Sequence, residues 1–134
     1  MTFVDTNVLL DVATDDPGWA AWSIALLEAA AASGPLVIND VVYAEISVRF
    51  ARIEAVDAFV RRAGLVREPM PRPALFLAGK SFQAYRAKGG RRTGVLPDFL
   101  IGAHAAVLDV PLLTRDTGQY GTYFPKLRLI TPKP

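Results

Sequence analysis

The acids Asp5, Glu45, Asp98 and Asp116 are the residues whose type and placement carry chemistry in this chain. Asp5 follows the apolar run Met1 to Val4, Asp98 follows Pro97 at the head of an apolar stretch, and Asp116 follows Leu112, Leu113 and Thr114. Glu45 differs, standing about one turn into a helical pattern that follows a second short run, Leu36 to Ile38. In an open parallel sheet, functional groups gather just beyond the carboxyl ends of the strands, so all four can converge on one rim. Carboxylates ~4 Å apart repel by about 4 kcal/mol at an effective dielectric of 20, and such a cluster requires a cation. The chain has no cysteine and one histidine, which leaves oxygen ligands and selects Mg²⁺ or Mn²⁺ over zinc. A hard ion held by carboxylates and a substrate phosphate serves metal-assisted phosphodiester hydrolysis.

Each acid also has a plainer account. Asp5 or Asp98 could cap a helix, Asp116 could close a turn with Thr117 and Gly118, and Glu45 could pair with Arg49 one turn on. Capping does not explain their joint placement. Arg86, Lys88, Arg91 and Arg92 put four positive charges within seven residues next to Asp98, suited to a phosphate backbone, or else to a solvated loop. Tyr85, Tyr120 and Tyr123 could stack on unpaired bases or pack in the core. His104 lies six residues and about 240° around an ideal helix from Asp98, so it reads as a buried, hydrogen-bonded histidine rather than a general base. Arg115 could meet a phosphate or neutralise the adjacent acids, and the residue types leave its role open.

Short apolar runs alternate with helical patterns along the chain. Met1 to Val4 leads into Asn7 to Ala13, where Val8, Leu9 and Val12 recur at helical spacing. A helix then runs through the Ala-rich stretch to Ala32 and stops at Ser33, Gly34 and Pro35. Asn39 or Asp40 caps the next helix, with Val42, Ile46, Phe50 and Ile53 in register, and Ala55 to Ala63 forms another closed by Gly64. Leu65 to Val66 reads as a third strand. Pro69, Pro71 and Pro73 form a linker into a helix over about Ala74 to Ala87, and Lys88 to Gly94 is a loop. Pro97 to Leu108 is an apolar, buried helix, and Val110 to Thr114 and Leu127 to Ile130 are the last strands. The pattern predicts an α/β fold with a parallel sheet.

The 134 residues predict a single domain over 1–134 that buries a core without staples. With 51% hydrophobic and 21% charged residues the bulk is not disordered. Trp19 to Ala32 is interrupted by Ser23 and Glu28, too short for a membrane span. No basic region precedes Asp5, so a secretory signal is not expected and the expected location is the cytoplasm. A net charge of +2 does not by itself call for a polyanionic partner. The positive mean hydropathy suggests apolar surface covered by another chain, and Trp19, Trp22, Leu26 and the faces around Val42 to Ile53 are either core or a groove for an amphipathic helix.

Asp5-Thr6-Asn7-Val8-Leu9-Leu10, Asn39 with Glu45, Pro97-Asp98-Phe99-Leu100-Ile101-Gly102-Ala103-His104-Ala105 and Leu113-Thr114-Arg115-Asp116 resemble, in order and spacing, the acidic motifs of the PIN domain. Within that family the chain is most similar to the VapC toxins of toxin–antitoxin modules. The resemblance implies a three-layer α/β/α sandwich and a Mg²⁺- or Mn²⁺-dependent endoribonuclease. It also implies RNA as substrate, a homodimer and neutralisation by a VapB-like antitoxin. It puts Asp5, Glu45, Asp98 and Asp116 around the metal, the acids matching Asp5 and Asp98 as direct ligands and those matching Glu45 and Asp116 acting through water. Asn7 takes the place of a small polar residue that orients the first acid. A phosphatase of the haloacid dehalogenase kind would need a second aspartate at position 7, where Asn7 stands. The remaining alternative is a non-catalytic RNA- or protein-binding PIN-like module with structural acids.

Overall fold

A computed structural model describes residues 1–92, 94–116 and 118–132. The chain opens with β1 (Thr2–Val4), α1 (Thr6–Ala13), α2 (Ala20–Ser33), β2 (Leu36–Ile38) and α3 (Asp40–Ser47). It continues through α4 (Ile53–Arg62), β3 (Leu65–Arg67), α5 (Arg72–Ala87) and α6 (Leu96–Leu108), and ends with β4 (Leu112–Leu113), α7 (Gln119–Tyr123) and β5 (Leu129–Ile130). All strand pairings are parallel, in the order β3-β2-β1-β4-β5. Helices flank this sheet in an α/β/α sandwich, as expected. Among the described residues no helix is long and apolar enough to cross a membrane.

The topology decides where a site can form. From β1 the chain moves outward on one side through β2 to β3, then crosses back to place β4 against the other edge of β1, with Phe3 opposite both Val37 and Leu112. The order therefore reverses at β1, and the crevice beyond the carboxyl ends of β1 and β4 is the switch point where open α/β sheets bind ligands. The three central strands are covered on both faces, which is why they read as unbroken apolar runs rather than alternating ones.

Two elements depart from the sequence pattern. The register Val42, Ile46, Phe50, Ile53 predicts one helix, but α3 stops at Ser47, whose hydroxyl donates to the Tyr43 carbonyl at 2.6 Å. The amides of Arg49 and Phe50 bond three residues back, tightening the end of the helix. Phe50 then reaches the core from a loop, its ring 5.5 Å from that of Phe59, while Ile53 starts α4 and is exposed. Core contact at the right spacing thus mimics helical continuity. The other departure is α7, five residues including Gly121, too short and weak a helix former to be legible. Tertiary packing makes it: Tyr120 and Phe124 close onto Gly102 of α6, where a Cβ would come within 2.6–2.9 Å of their rings.

Candidate functional site

Asp5 ends β1, caps α1 and is only 3% exposed. Its Oδ1 accepts the Thr6 amide at 2.7 Å, which is the capping bond. Its Oδ2 does something capping does not require: it accepts the Thr114 hydroxyl at 2.7 Å, the Tyr120 hydroxyl at 3.0 Å and the Asn7 amide at 3.4 Å. The cap thus accounts for one oxygen, and the end of β4, α7 and α1 converge on the other. Burial raises the Asp5 carboxyl above the usual carboxylate value; the hydrogen bonds oppose this, and the nearby charge of Glu45 adds to it. Burial and the charges of Asp5, Asp98 and Asp116 push the Tyr120 hydroxyl well above the usual tyrosine value, so it stays a proton donor to Asp5.

The neighbouring residues tie the other acids to this point. Thr6 donates from its hydroxyl to Glu45 Oε1 at 2.6 Å, so Glu45 faces α1, and its predicted partner Arg49 is not the group it meets. Thr114 also accepts the Asp116 amide at 3.0 Å, while Asp116 Oδ1 accepts the Gly118 amide at 2.8 Å. The turn at Asp116 is therefore present, though Thr117 itself lies outside the described residues. Asn7 bonds to both sides, donating to Asp5 and Thr114 and accepting the Arg115 amide at 3.2 Å.

Asp98 lies in the first turn of α6 and caps nothing. Its carboxyl is raised to about 7, by partial burial first and then by the charges of Asp5, Glu45 and Asp116, with Arg92 pulling the other way. The structure thus brings all four acids into one electrostatic field on one side of the sheet. Among the described residues, no three of them stand close enough together to grip an ion as they are. The donor set is all oxygen and anionic, which fits a hard divalent cation and no soft one. His104 is fully buried behind the site, with Nδ1 3.2 Å from the Asn39 amide and its ring against Phe3. Burial lowers its pKa, and it takes no part in the carboxylate cluster.

Arg86 ends α5 in its last turn, Lys88, Arg91 and Arg92 follow on the loop, and all four are exposed. The loop is shaped by Tyr85, whose ring leaves no room for a Cβ at Gly90 and whose hydroxyl accepts the Arg92 amide at 3.2 Å. Lys88 reaches over the Tyr123 ring, 5.6 Å from its centroid. The tyrosines are therefore packed rather than free to stack on bases: Tyr85 and Tyr120 are buried, and Tyr123 lies edge-on to Phe99.

The PIN domain family model matches residues 2–125. The chain belongs to the PIN domain family. The structure of VapBC2 from Rickettsia felis bound to a DNA fragment from their promoter aligns with a TM-score of 0.72 at 19% identity, over 97% of each chain. A toxin–antitoxin complex from Klebsiella pneumoniae aligns with a TM-score of 0.70 at 22% identity, over 99% of this chain and 98% of that one. VapBC-1 from nontypeable Haemophilus influenzae aligns with a TM-score of 0.68 at 19% identity, over 97% and 96%. No curated protein sequence matches the chain. In this PIN domain the hydroxyls of Thr6, Thr114 and Tyr120 meet the acids, a role the sequence did not assign. Thr6 follows Asp5 and Thr114 precedes Asp116 by two positions, a signal that was available; Tyr120 stood out only as a stacking or core residue, because α7 was not legible.

Proposed function

We propose that this PIN domain is a metal-dependent endoribonuclease and the toxin of a toxin–antitoxin pair, acting in the cytoplasm. The observation that carries the reading is the meeting of acids from separate elements: Thr6 bonds both Asp5 and Glu45, Thr114 bonds both Asp5 and Asp116, and the Asp98 carboxyl is raised first by burial and then by the charges of the other three. A cup of like charges beyond the ends of β1 and β4 is relieved by a divalent cation, and Mg²⁺ or Mn²⁺ suits its oxygens. Asp5 and Asp98 would hold the ion directly, Glu45 and Asp116 from further out, and Asn7 would orient Asp5. Bound there, the ion would neutralise phosphate charge and lower the pKa of water. Hydroxyls of Thr114 and Tyr120 keep the Asp5 carboxylate in one orientation. Arg86, Lys88, Arg91 and Arg92 would hold the RNA backbone. No side chain serves as nucleophile.

The partner reading rests on the fold shared with toxin–antitoxin complexes and on exposed apolar residues: Val48 is 81% exposed, and Ile53, Leu75 and Phe76 also face solvent. A VapB-like antitoxin and a second copy of the chain are the proposed occupants of such surfaces. The hydrogen bonds on both Asp5 oxygens favour a second reading, a binding module in which the acids are structural. Cleavage of single-stranded RNA with and without Mn²⁺ separates the two. The nuclease requires metal-dependent cleavage that Asp98→Asn lowers by at least about 100-fold; metal-independent behaviour, unchanged by that substitution, establishes the binding module.

A further inference from the structure

Arg115 stands between Thr114 and Asp116, next to a cluster of acids, yet its guanidinium turns away from them. Its Nε donates to Asp11 Oδ2 at 2.8 Å and its Nη2 to Asp11 Oδ1 at 2.9 Å, a two-point fork on a carboxylate that is only 2% exposed. The Ser23 hydroxyl, buried on α2, donates to the same Asp11 Oδ2 at 2.8 Å. The Trp19 ring covers the guanidinium, 4.8 Å from its centroid. Only 29% of the Arg115 side chain is exposed.

The backbone of Arg115 is held as well, its amide donating to Asn7 Oδ1 at 3.2 Å. Asn7 and Asp11 are one turn apart on the same face of α1. One helix face therefore grips both the main chain and the side chain of Arg115. The same helix starts at Asp5, and the residue after Arg115 is Asp116. We propose that Arg115 is a positioning residue: locked on Asp11 and Trp19, it joins α1 to the end of β4 as one rigid piece and sets Asp116 in fixed relation to Asp5. This rests on the metal-dependent reading above. A buried ion pair gives little net stability over a well-packed apolar pair, whereas its fork has one geometry, which is what holding an outer acid in register with a direct ligand requires. Lysine carries the charge but lacks the planar fork.

The test is Mn²⁺ binding to the purified chain, measured by calorimetry beside thermal melting and RNA binding. Arg115→Lys is expected to melt cooperatively and to bind Mn²⁺ about tenfold more weakly than wild type, as for partners that orient metal ligands. Asp11→Asn is expected to do the same, and the double variant to be no weaker than either single one, since both break one link. Trp19→Phe keeps a ring but a poorer cation partner, and is expected to weaken Mn²⁺ by roughly twofold to threefold. That mild variant decides the matter if Arg115→Lys does not fold. Wild-type Mn²⁺ affinity in folded Arg115→Lys, or in Trp19→Phe when it is the deciding variant, overturns the proposal. So does a loss of RNA binding at unchanged Mn²⁺ affinity, which would put Arg115 on the substrate. If wild type binds no Mn²⁺, the metal reading itself fails and this inference with it.

Discussion

The two walls of the site are built differently. On the wall made by β1, α1 and the end of β4, Asp5 is buried and accepts four hydrogen bonds, and Asp116 is bound through its neighbours Thr114 and Arg115. On the wall made by α5 and α6, Asp98 is half-buried and, among the described residues, makes no side-chain hydrogen bond; charge alone connects it to the rest. The basic loop beside it is exposed. One carboxylate is fixed by hydrogen bonds, and the other, among the described residues, is held by none. This difference predicts opposite stability responses to removing the two acids.

The largest expected effect is that contrast. Asp5→Ala and Asp98→Asn should each abolish metal-dependent cleavage, yet move thermal stability in opposite directions. Removing Asp5 leaves the Thr6 amide and the Thr114 and Tyr120 hydroxyls buried without an acceptor, which costs about 1–3 kcal/mol. Neutralising Asp98 removes a carboxylate that its neighbours repel, so Tm should rise by a few degrees. Melting curves of the two variants check this, and a loss of stability in both would show that the walls are alike.

A smaller effect belongs to the loop. Replacing Arg91 and Arg92 with Gln should leave Tm nearly unchanged, because both are exposed. If both contact single-stranded RNA, the slope of log affinity against log salt should become shallower by about 1.4. An unchanged slope would return the loop to the role of solvated surface.

The smallest effect is in pH. Asp98 holds its proton up to about 7 in the folded chain, against an ordinary value of 3.8. The folded state therefore binds more protons than the unfolded one between these values, and stability of the metal-free protein declines as pH rises through that window, then levels off. Asp5, raised by burial, acts in the same direction. A Tm series from about pH 5 to about pH 8 should show a fall of a few degrees, reduced in Asp98→Asn. Buried His104, whose pKa is lowered from 6.5, works the other way below that pH in both proteins, so the difference between wild type and Asp98→Asn is the test, and identical pH profiles would remove Asp98 from the carboxylate field.

Much of the architecture was legible because its signals are local. The apolar runs at Phe3, Val37 and Leu112 become strands, and Asn39 caps α3 through Val42 as its side chain predicts. Asp5, Glu45 and Asp116 were legible because they stand at or within about a turn of a strand exit, and Asp98, separated from β3 by α5, because it follows Pro97 at the head of the apolar α6 pattern. The break before Ile53 was hidden by Phe50, which keeps helical spacing while reaching the core from a loop. Arg115 could not be assigned because its partners Asp11 and Trp19 lie about a hundred residues away in the chain.

By itself the amino-acid order determined the alternation of strands and helices, the oxygen-only character of the candidate ligands and their places at strand exits or at the head of a helix, since these depend on short-range pattern and side-chain chemistry. Only the tertiary structure decided that Tyr120 and Thr114 point at Asp5, that Arg115 answers to Asp11, and that Asp5 is held by hydrogen bonds while Asp98, among the described residues, has none. Hydrogen bonds and burial between segments far apart in the chain arise when the sheet brings β1 and β4 side by side, and no local pattern encodes which donors that juxtaposition will deliver.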